Sequence, residues 1–449
     1  MHDTTLLAAT TDKNLELVLR VLPAIVIILA ASALCGRLAL LVKQPRVLGE
    51  MVAGVLLGPT LFGALFPTAQ NAIFTPEVKP ILYVLSTIGL TLFMFLVGAG
   101  LEHGGGNGKK DVKNAAVLAG SGILPSLLLG AGVAYLLYDR LSRPDVSHFE
   151  FALFIGGALS ITAFPMLARI LYERRLQNSP LGRMTLLGAS IDDAAAWCLL
   201  AGLSAMQTGA GAPHVLRTIG LTALFALVML TVVARLLQPM GARVERTGHF
   251  GFDHMYLVVG IVLLSGLFTD YIGIYSVFGG FLAGLAMPRN PAFREALHSR
   301  MMDLVCVLLL PIFFAFSGLN TELGGIAGWA MIGPFALILA AGFIGKYVGC
   351  ATAMRTVGFS WRESWAVGGL MNARGLMILI FINIGLAQGM IAKDVFSMLV
   401  LVAVITTAGA MPLYRWALPE RFEQQMSTLT PKPKLTSGAA SPETEHSHA

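Results

Sequence analysis

Polar residues interrupt this chain only after long apolar runs, and that spacing sets the first expectation. Runs able to cross about 30 Å of hydrocarbon, roughly 20 helical residues each, lie near 17–42, 47–65, 80–101, 114–138, 149–172, 182–207, 215–238, 254–271, 273–288, 301–319, 328–354, 363–388 and 394–417. The pattern predicts an all-α integral membrane protein with about 13 transmembrane helices. Alternate connections carry the basic residues: Lys43 and Arg46; Lys109, Lys110 and Lys113; Arg174, Arg175 and Arg183; Arg243 and Arg246; Arg289, Arg294 and Arg300; Arg355 and Arg362. The intervening loops hold Lys79, Arg140, Arg143 and Lys393. Positive loops stay in the cytoplasm, so an odd number of spans places the N-terminus outside and the C-terminus inside, in the plasma (inner) membrane. The polar, acidic start "MHDTTLLAATTDKNLELVLR" lacks the features of a cleaved leader, and the first run is expected to be a retained span.

Two distant stretches repeat one another. "VLGEMVAGVLLGP" from Val47 and "SVFGGFLAGLAMP" from Ser276 share the frame Val47/Val277, Gly49/Gly279, Ala53/Ala283 and Gly54/Gly284. The spans that follow match as well, with Phe93, Gly98 and Glu102 against Phe313, Gly318 and Glu322. Loop charge starts the first copy in the cytoplasm and the second outside, the mark of an inverted-topology repeat. The expected organisation is a membrane domain over 1–419, with repeats about 17–207 and 254–417, and a polar, Pro- and Ser-rich disordered tail over 420–449.

Composition agrees with the pattern. Of 449 residues, 56% are hydrophobic and 12% charged, against about 25% charged in soluble domains. The net charge of +6 comes from short clusters between apolar runs and forms no basic face with interleaved aromatics, which excludes a nucleic-acid surface. Cys35, Cys198, Cys306 and Cys350 make no CxxC pair, and no cofactor is expected. "GGGNGKK" from Gly104 lacks the spacing of a phosphate-binding loop and reads as a flexible turn. His103, His249, His254, His446 and His448 fall in loops or tails.

Against this background "LGASIDDAAAWCLL", from Leu187, stands out. Each ionised side chain at mid-membrane costs roughly 3 kcal/mol or more, so an intramembrane acid marks an ion or proton pathway by default. From helix rise, Asp192 lies ~14 Å inward of Arg183, and Lys346 in "AGFIGKYVGC" lies ~14 Å inward of Arg355. Thr162 and Asn372 fall at ~15 Å on two further spans. Adjacent helical residues point about 100° apart, so one acid can face a pathway while the other pairs with Lys346.

"LSITAFPMLARI" from Leu159 sets Ser160, Thr162 and Pro165 in mid-span, where proline removes a backbone donor and frees a carbonyl. "GGLMNARGLMILIFINIG" from Gly368 interrupts its span with Asn372, Arg374 and Gly375. The expectation is two broken helices crossing at mid-depth, their unequal end dipoles neutralised by an Asp and by Lys346, Arg374 and Asn372.

The chain resembles the monovalent cation:proton antiporter-2 family, which includes Kef-type potassium transporters and plant cation/proton exchangers. The matching phrases are "QPRVLGEMVAGVLLGP" from Gln44, "SITAFPMLARIL" from Ser160, "IDDAAAW" from Ile191, "YSVFGGFLAGLAMP" from Tyr275, "LLLPIFFAFSGL" from Leu308 and "MNARGLM" from Met371. The resemblance implies a sodium/proton antiporter fold and a homodimer in which an anchored panel of helices supports a core moving like an elevator. It also implies a role in pH homeostasis. Asp193 aligns with the family's ion-binding aspartate. Asp192 gives the double-aspartate pattern, whose members are expected to move two protons per cation, and Lys346 matches the lysine that accompanies it. The chain departs from Kef-type members in carrying no nucleotide-binding cytoplasmic domain, so ligand gating is not expected.

The sequence thus predicts a secondary transporter, not an enzyme, exchanging Na⁺ or K⁺ for protons. Asp193, Asp192, Ser160 and Thr162 form the ion and proton site, with Asp193, Asp192 and Thr162 holding the transported cation transiently. The alternative is a sodium-coupled symporter of a small organic anion on the same crossed helices, which calls for a larger cavity rich in hydroxyls and amides. An intramembrane aspartyl protease would need its two acids on separate spans.

Overall fold

The computed structural model describes residues 2–59, 61–101, 108–208, 211–319, 331–375 and 377–419. In chain order its helices are α1 (His2–Leu41), α2 (Arg46–Leu57), α3 (Phe62–Leu65), α4 (Pro67–Ile73), α5 (Val78–Gly100), α6 (Gly108–Leu136), α7 (Tyr138–Leu141), α8 (His148–Ser160), α9 (Phe164–Glu173) and α10 (Pro180–Thr208). Then come α11 (Gly211–Val228), α12 (Ala234–Thr247), α13 (Phe252–Tyr271), α14 (Ser276–Ala286), α15 (Pro291–Leu304), α16 (Leu310–Leu319), α17 (Ile332–Val357), α18 (Trp361–Met371), α19 (Met377–Ala387) and α20 (Lys393–Ala417). Short π-helical turns join α11 to α12 and α15 to α16, and no strand occurs among the described residues.

Among those residues, 10 helical segments are long and apolar enough to cross a membrane. The count of 13 is not established. The remaining three expected spans take the form of α10 with its paired acids, the 11-residue α14, and the interrupted pair α18 and α19. Large apolar side chains such as Leu19, Leu128, Leu224 and Leu264 lie exposed on the outer helices, where hydrocarbon rather than water is the solvent. The tail 420–449, most of the turn at 104–110, and Glu102 and Glu322 lie outside the described residues.

Two bundles emerge from the packing. In one, a panel, α2 packs between α1 and α16, α5 packs on α14 and α16, and α13 packs on α14. In the other, a core, α6 packs on α8, α10 and α17, while α18 lies between α17 and α20. α9 touches the panel through α2 and α5.

The expected repeat appears in the packing as matched close approaches. A methyl group added at Gly54 would stand 2.2 Å from the carbonyl oxygen of Ala315, and one at Gly284 would stand 2.1 Å from that of Phe95. Gly49 and Gly279 behave alike, each 2.3 Å from a carbonyl oxygen, of Cys35 and Ser265 respectively. Each half therefore uses glycine at the same two places to bring helix backbones together. The core repeats too: α8 and α18 both open with a capping box, Ser147 with Glu150 and Ser360 with Glu363. Because α2 begins and α14 ends beside arginine-bearing loops, the copies run in opposite directions relative to one basic face.

Candidate ion-binding site

α8 stops at Ser160, residues 161–163 are extended, and α9 restarts at Phe164 with Pro165 in its first turn. Proline here starts the second half-helix, where its missing N–H leaves no bond unmade, rather than kinking a continuous one. The partner span breaks likewise: α18 ends at Met371, Gly375 adopts φ 45°, and α19 resumes at Met377. The two extended segments are joined directly. Ala163 N–H donates to the Ala373 carbonyl at 2.9 Å, and the Thr162 hydroxyl donates to the Met371 carbonyl at 3.0 Å. Thr162 thereby satisfies a carbonyl at the open end of α18, and the Asn372 amide donates to another, of Gly368, at 3.0 Å.

Ser160, Thr162, Asp192, Asp193, Lys346, Asn372 and Arg374 are each no more than 2% exposed. Lys346 reaches from α17 to the end of α8, donating to the Ser160 carbonyl and to Asp192 Oδ2, the latter at 2.5 Å. A cation thus meets a helix C-terminus and a carboxylate at once. One turn earlier on α17, the Gly342 carbonyl accepts from Arg374 Nη2 at 2.5 Å. The Ser160 hydroxyl turns back to the Gly157 carbonyl at 2.8 Å, so its backbone oxygen, not its donor, serves the crossing.

Asp193 is placed differently. Neither of its oxygens accepts a hydrogen bond. It lines a small cavity with Ile161, Ala196, Trp197 and Phe381. Trp197 in turn packs on Tyr275, at the start of α14, with ring centroids 5.4 Å apart and planes tilted by 33°, so panel and core meet on the side of Asp193 away from the basic face. Nearer the basic face Phe164 meets Phe281 edge-on at 4.8 Å. Two carboxylates, an ammonium and a guanidinium thus share one buried crossing, with formal charges that sum to zero when all are ionised.

Three features lay outside the sequence reading. The Thr407 hydroxyl on α20 accepts from both Arg374 N–H and Gly375 N–H at 3.1 Å, capping the approach to α19. Tyr275 closes over Trp197. Glu50 and Arg169, 6% and 7% exposed, form an ion pair between α2 and α9. The last had a sequence signal, since both lie inside expected spans and intramembrane charge is a marker in its own right.

A family model described as sodium/hydrogen exchanger, transmembrane, matches residues 25–416. The chain is 37% identical over 396 residues to the Na(+)/H(+) antiporter NhaS4 of a Synechocystis strain, covering 88% of this chain and 96% of that one. It is 36% identical over 375 residues to cation/H(+) antiporter 19 of Arabidopsis thaliana, and 32% identical over 412 residues to K(+)/H(+) antiporter 1 of Saccharomyces cerevisiae. These matches cover 83% and 89% of this chain but only 46% of each of those longer relatives. The solved sodium proton antiporter MjNhaP1 from Methanocaldococcus jannaschii superposes with a TM-score of 0.60, at 13% identity over 92% of this chain and 99% of that one, a likeness of fold. The sequence match spans nearly all of the membrane helices and both halves of the crossing, and the resemblance to cation:proton antiporters holds: the chain belongs to the sodium/hydrogen exchanger family of membrane transporters and is not an enzyme.

Proposed function

We propose that this protein exchanges Na⁺ or K⁺ for protons, with Asp193 as the carboxylate that binds either. The observation that carries this reading is the division of labour between neighbours: Asp192 is bonded to Lys346, whereas Asp193 is buried, unbonded and aimed into a cavity. Burial disfavours an ionised carboxylate, and a cation at its oxygens restores that form. Proton and cation therefore compete for one acid, and competition couples their movements. Thr162 and the carbonyls of the crossing supply further oxygens for a dehydrated monovalent ion.

The two bundles support an alternating-access reading. The core carries the crossing and slides like an elevator against the panel, presenting Asp193 to one side and then the other, and a homodimer anchors the panels. Asp192 and Lys346 provide the second proton: when Lys346 releases Asp192, the ammonium or the carboxylate changes its protonation, and the cycle moves net charge. The transporter sits in the plasma membrane with its N-terminus outside, residues 1–419 form its membrane domain, and it serves pH homeostasis. The cavity beside Asp193 is walled by Ile161, Ala196, Trp197 and Phe381, a poor setting for the several hydroxyls and amides that an organic anion would need.

The test is proton flux in vesicles reconstituted with the purified protein, titrated in turn with Na⁺, K⁺ and Li⁺. Cation-driven proton movement that vanishes in Asp193→Asn is expected. Vigorous exchange in that variant excludes the assignment.

A further inference from the structure

The panel and core are also joined by a charge cluster separate from the residues assigned above to ion binding. Arg169, near the end of α9, bonds through Nε to Glu173 Oε1 at 3.1 Å and places Nη2 3.7 Å from Glu50 Oε1 on α2. The other oxygen of Glu173 accepts the backbone N–H of Arg46, the first residue of α2, at 2.9 Å, where the helix dipole favours a negative charge. Cys306, in the π-helical turn before α16, donates its thiol to Met302 Sδ at 3.3 Å and lies within electrostatic reach of Arg169 and Tyr172. Two carboxylates thus share one guanidinium and one helix N-terminus at the basic-face end of the seam between the bundles.

The contacts differ in what they would survive. Arg169 and Glu173 are one turn apart on α9, so their bond persists however the core moves. The ion pair of Arg169 with Glu50 and the hydrogen bond from Arg46 N–H to Glu173 cross between core and panel, and a slide of a single helical turn, ~5.4 Å, breaks both. Meanwhile the cavity beside Asp193 lies toward Ala196 and Trp197, away from this face. Panel and core also meet on that far side, where Trp197 packs on Tyr275, so the charge cluster is the polar contact of the seam and the aromatic pair its apolar counterpart.

We propose that Glu50, Arg169 and Glu173 form a gate lock that holds the basic-face mouth shut and is released when the core slides toward that face. The proposal rests on the alternating-access reading above and adds the residues that set the balance between its two states. Glu50 and Arg46 are the panel half, Arg169 and Glu173 the core half. Cutting either crossing contact shifts the population toward the state open at the basic face, whereas a shorter carboxylate at position 50 preserves it.

Cys306 supplies a built-in reporter. In the full-length protein with Cys35, Cys198 and Cys350 replaced by Ser, reconstituted in vesicles of known orientation, a membrane-impermeant maleimide is applied at the basic face. Glu50→Gln and Glu173→Gln are each expected to raise the rate of Cys306 labelling at least threefold and to lower the apparent KM for the cation on that face, with Glu50→Asp remaining near the parent. Unchanged labelling in both amide variants overturns the lock. So does Glu50→Asp behaving as Glu50→Gln, which would make the cluster a packing feature only. The labelling is read without added cation and needs no transport, so it reports on the lock even if the assignment of Asp193 fails.

Discussion

Lys346 Nζ donates to Asp192 Oδ2 at 2.5 Å, while both oxygens of Asp193, the next residue on the same helix, remain without a hydrogen bond. Successive helical residues diverge by about 100°, so sequence neighbours occupy distinct environments. That asymmetry predicts opposite effects on stability and on transport. Asp193→Asn should abolish cation-driven proton flux yet leave the protein equally stable or stabilised by about 1–3 kcal/mol, since an unpaired acid in an apolar setting is a liability. Vesicle flux and thermal unfolding in detergent measure the two. Parallel loss of both contradicts the placement of Asp193 as a functional rather than structural acid.

Lys346 should behave in the reverse sense. Lys346→Met leaves Asp192 and the Ser160 carbonyl without their donor, and removing one member of a buried ion pair costs about 3–5 kcal/mol. Combining it with Asp192→Asn removes the stranded charge as well, so the double variant should recover most of the unfolding temperature lost by the single one. A double-variant cycle in detergent measures the coupling. Additive losses would show that the pair is not an energetic unit.

Thr407 shows how a single hydroxyl can hold the broken helix in place. It accepts from two backbone N–H groups that the break leaves without helical partners. Thr407→Val strands both, at about 1–3 kcal/mol for each buried group, and should loosen the approach to α19. The expected result is a lower unfolding temperature and a raised cation KM, with Thr407→Ser close to the parent. A Val variant indistinguishable from the parent in both measurements would remove Thr407 from the site.

What could be read from sequence, and what could not, follows from the same contacts. Asp192, Asp193, Lys346 and Arg374 were conspicuous because an ionised residue in an apolar run needs a reason to be there, and Pro165 marked the break in α8 and α9. Thr407 gave no such sign. Thr406 beside it bonds to the Val402 carbonyl of its own helix at 2.8 Å, an ordinary habit of threonine in helices, and nothing in the sequence separates the two. Arg169 lies close to the end of its span, where a long side chain reads as reaching for the interface. Only the packing of α2 against α9 reveals Glu50 beside it. Likewise α14 has only 11 residues, fewer than a full crossing needs, so apolar length alone did not fix the number of spans.

The repeat makes a prediction about pairs of glycines. Gly54 and Gly284 each lie against a carbonyl oxygen on the other copy's following span, where an added methyl would stand at 2.2 Å and 2.1 Å. Backbone cannot swing aside as a side chain can, so Gly54→Ala and Gly284→Ala should each destabilise by about 1–3 kcal/mol or more. By pseudo-symmetry the losses should be similar, and the unfolding temperatures of the two variants provide the comparison. A clear loss in one with no change in the other would mean that the two halves do not share the packing burden.

The number of protons exchanged can be separated from the identity of the acid. If one proton competes with the cation at Asp193, the apparent KM should rise about tenfold for each unit fall in pH within the competitive range, by linkage between the two ligands. If Asp192 and Lys346 contribute a second proton to the same equilibrium, the limiting rise is about a hundredfold, and the two titrations belong to the coupled group rather than to either residue. The sign is fixed in both cases: acid weakens apparent cation affinity and alkali strengthens it. Membrane potential supplies an independent measure, because a cycle carrying one net charge gains about 2.3 kcal/mol for each 100 mV. Imposing a membrane voltage should therefore drive exchange in the parent and lose its effect in the double variant Asp192→Asn, Lys346→Gln, which keeps Asp193. Exchange in the parent that ignores voltage and follows the tenfold law would leave Asp193 as the sole exchanging acid and reduce Asp192 and Lys346 to structural partners.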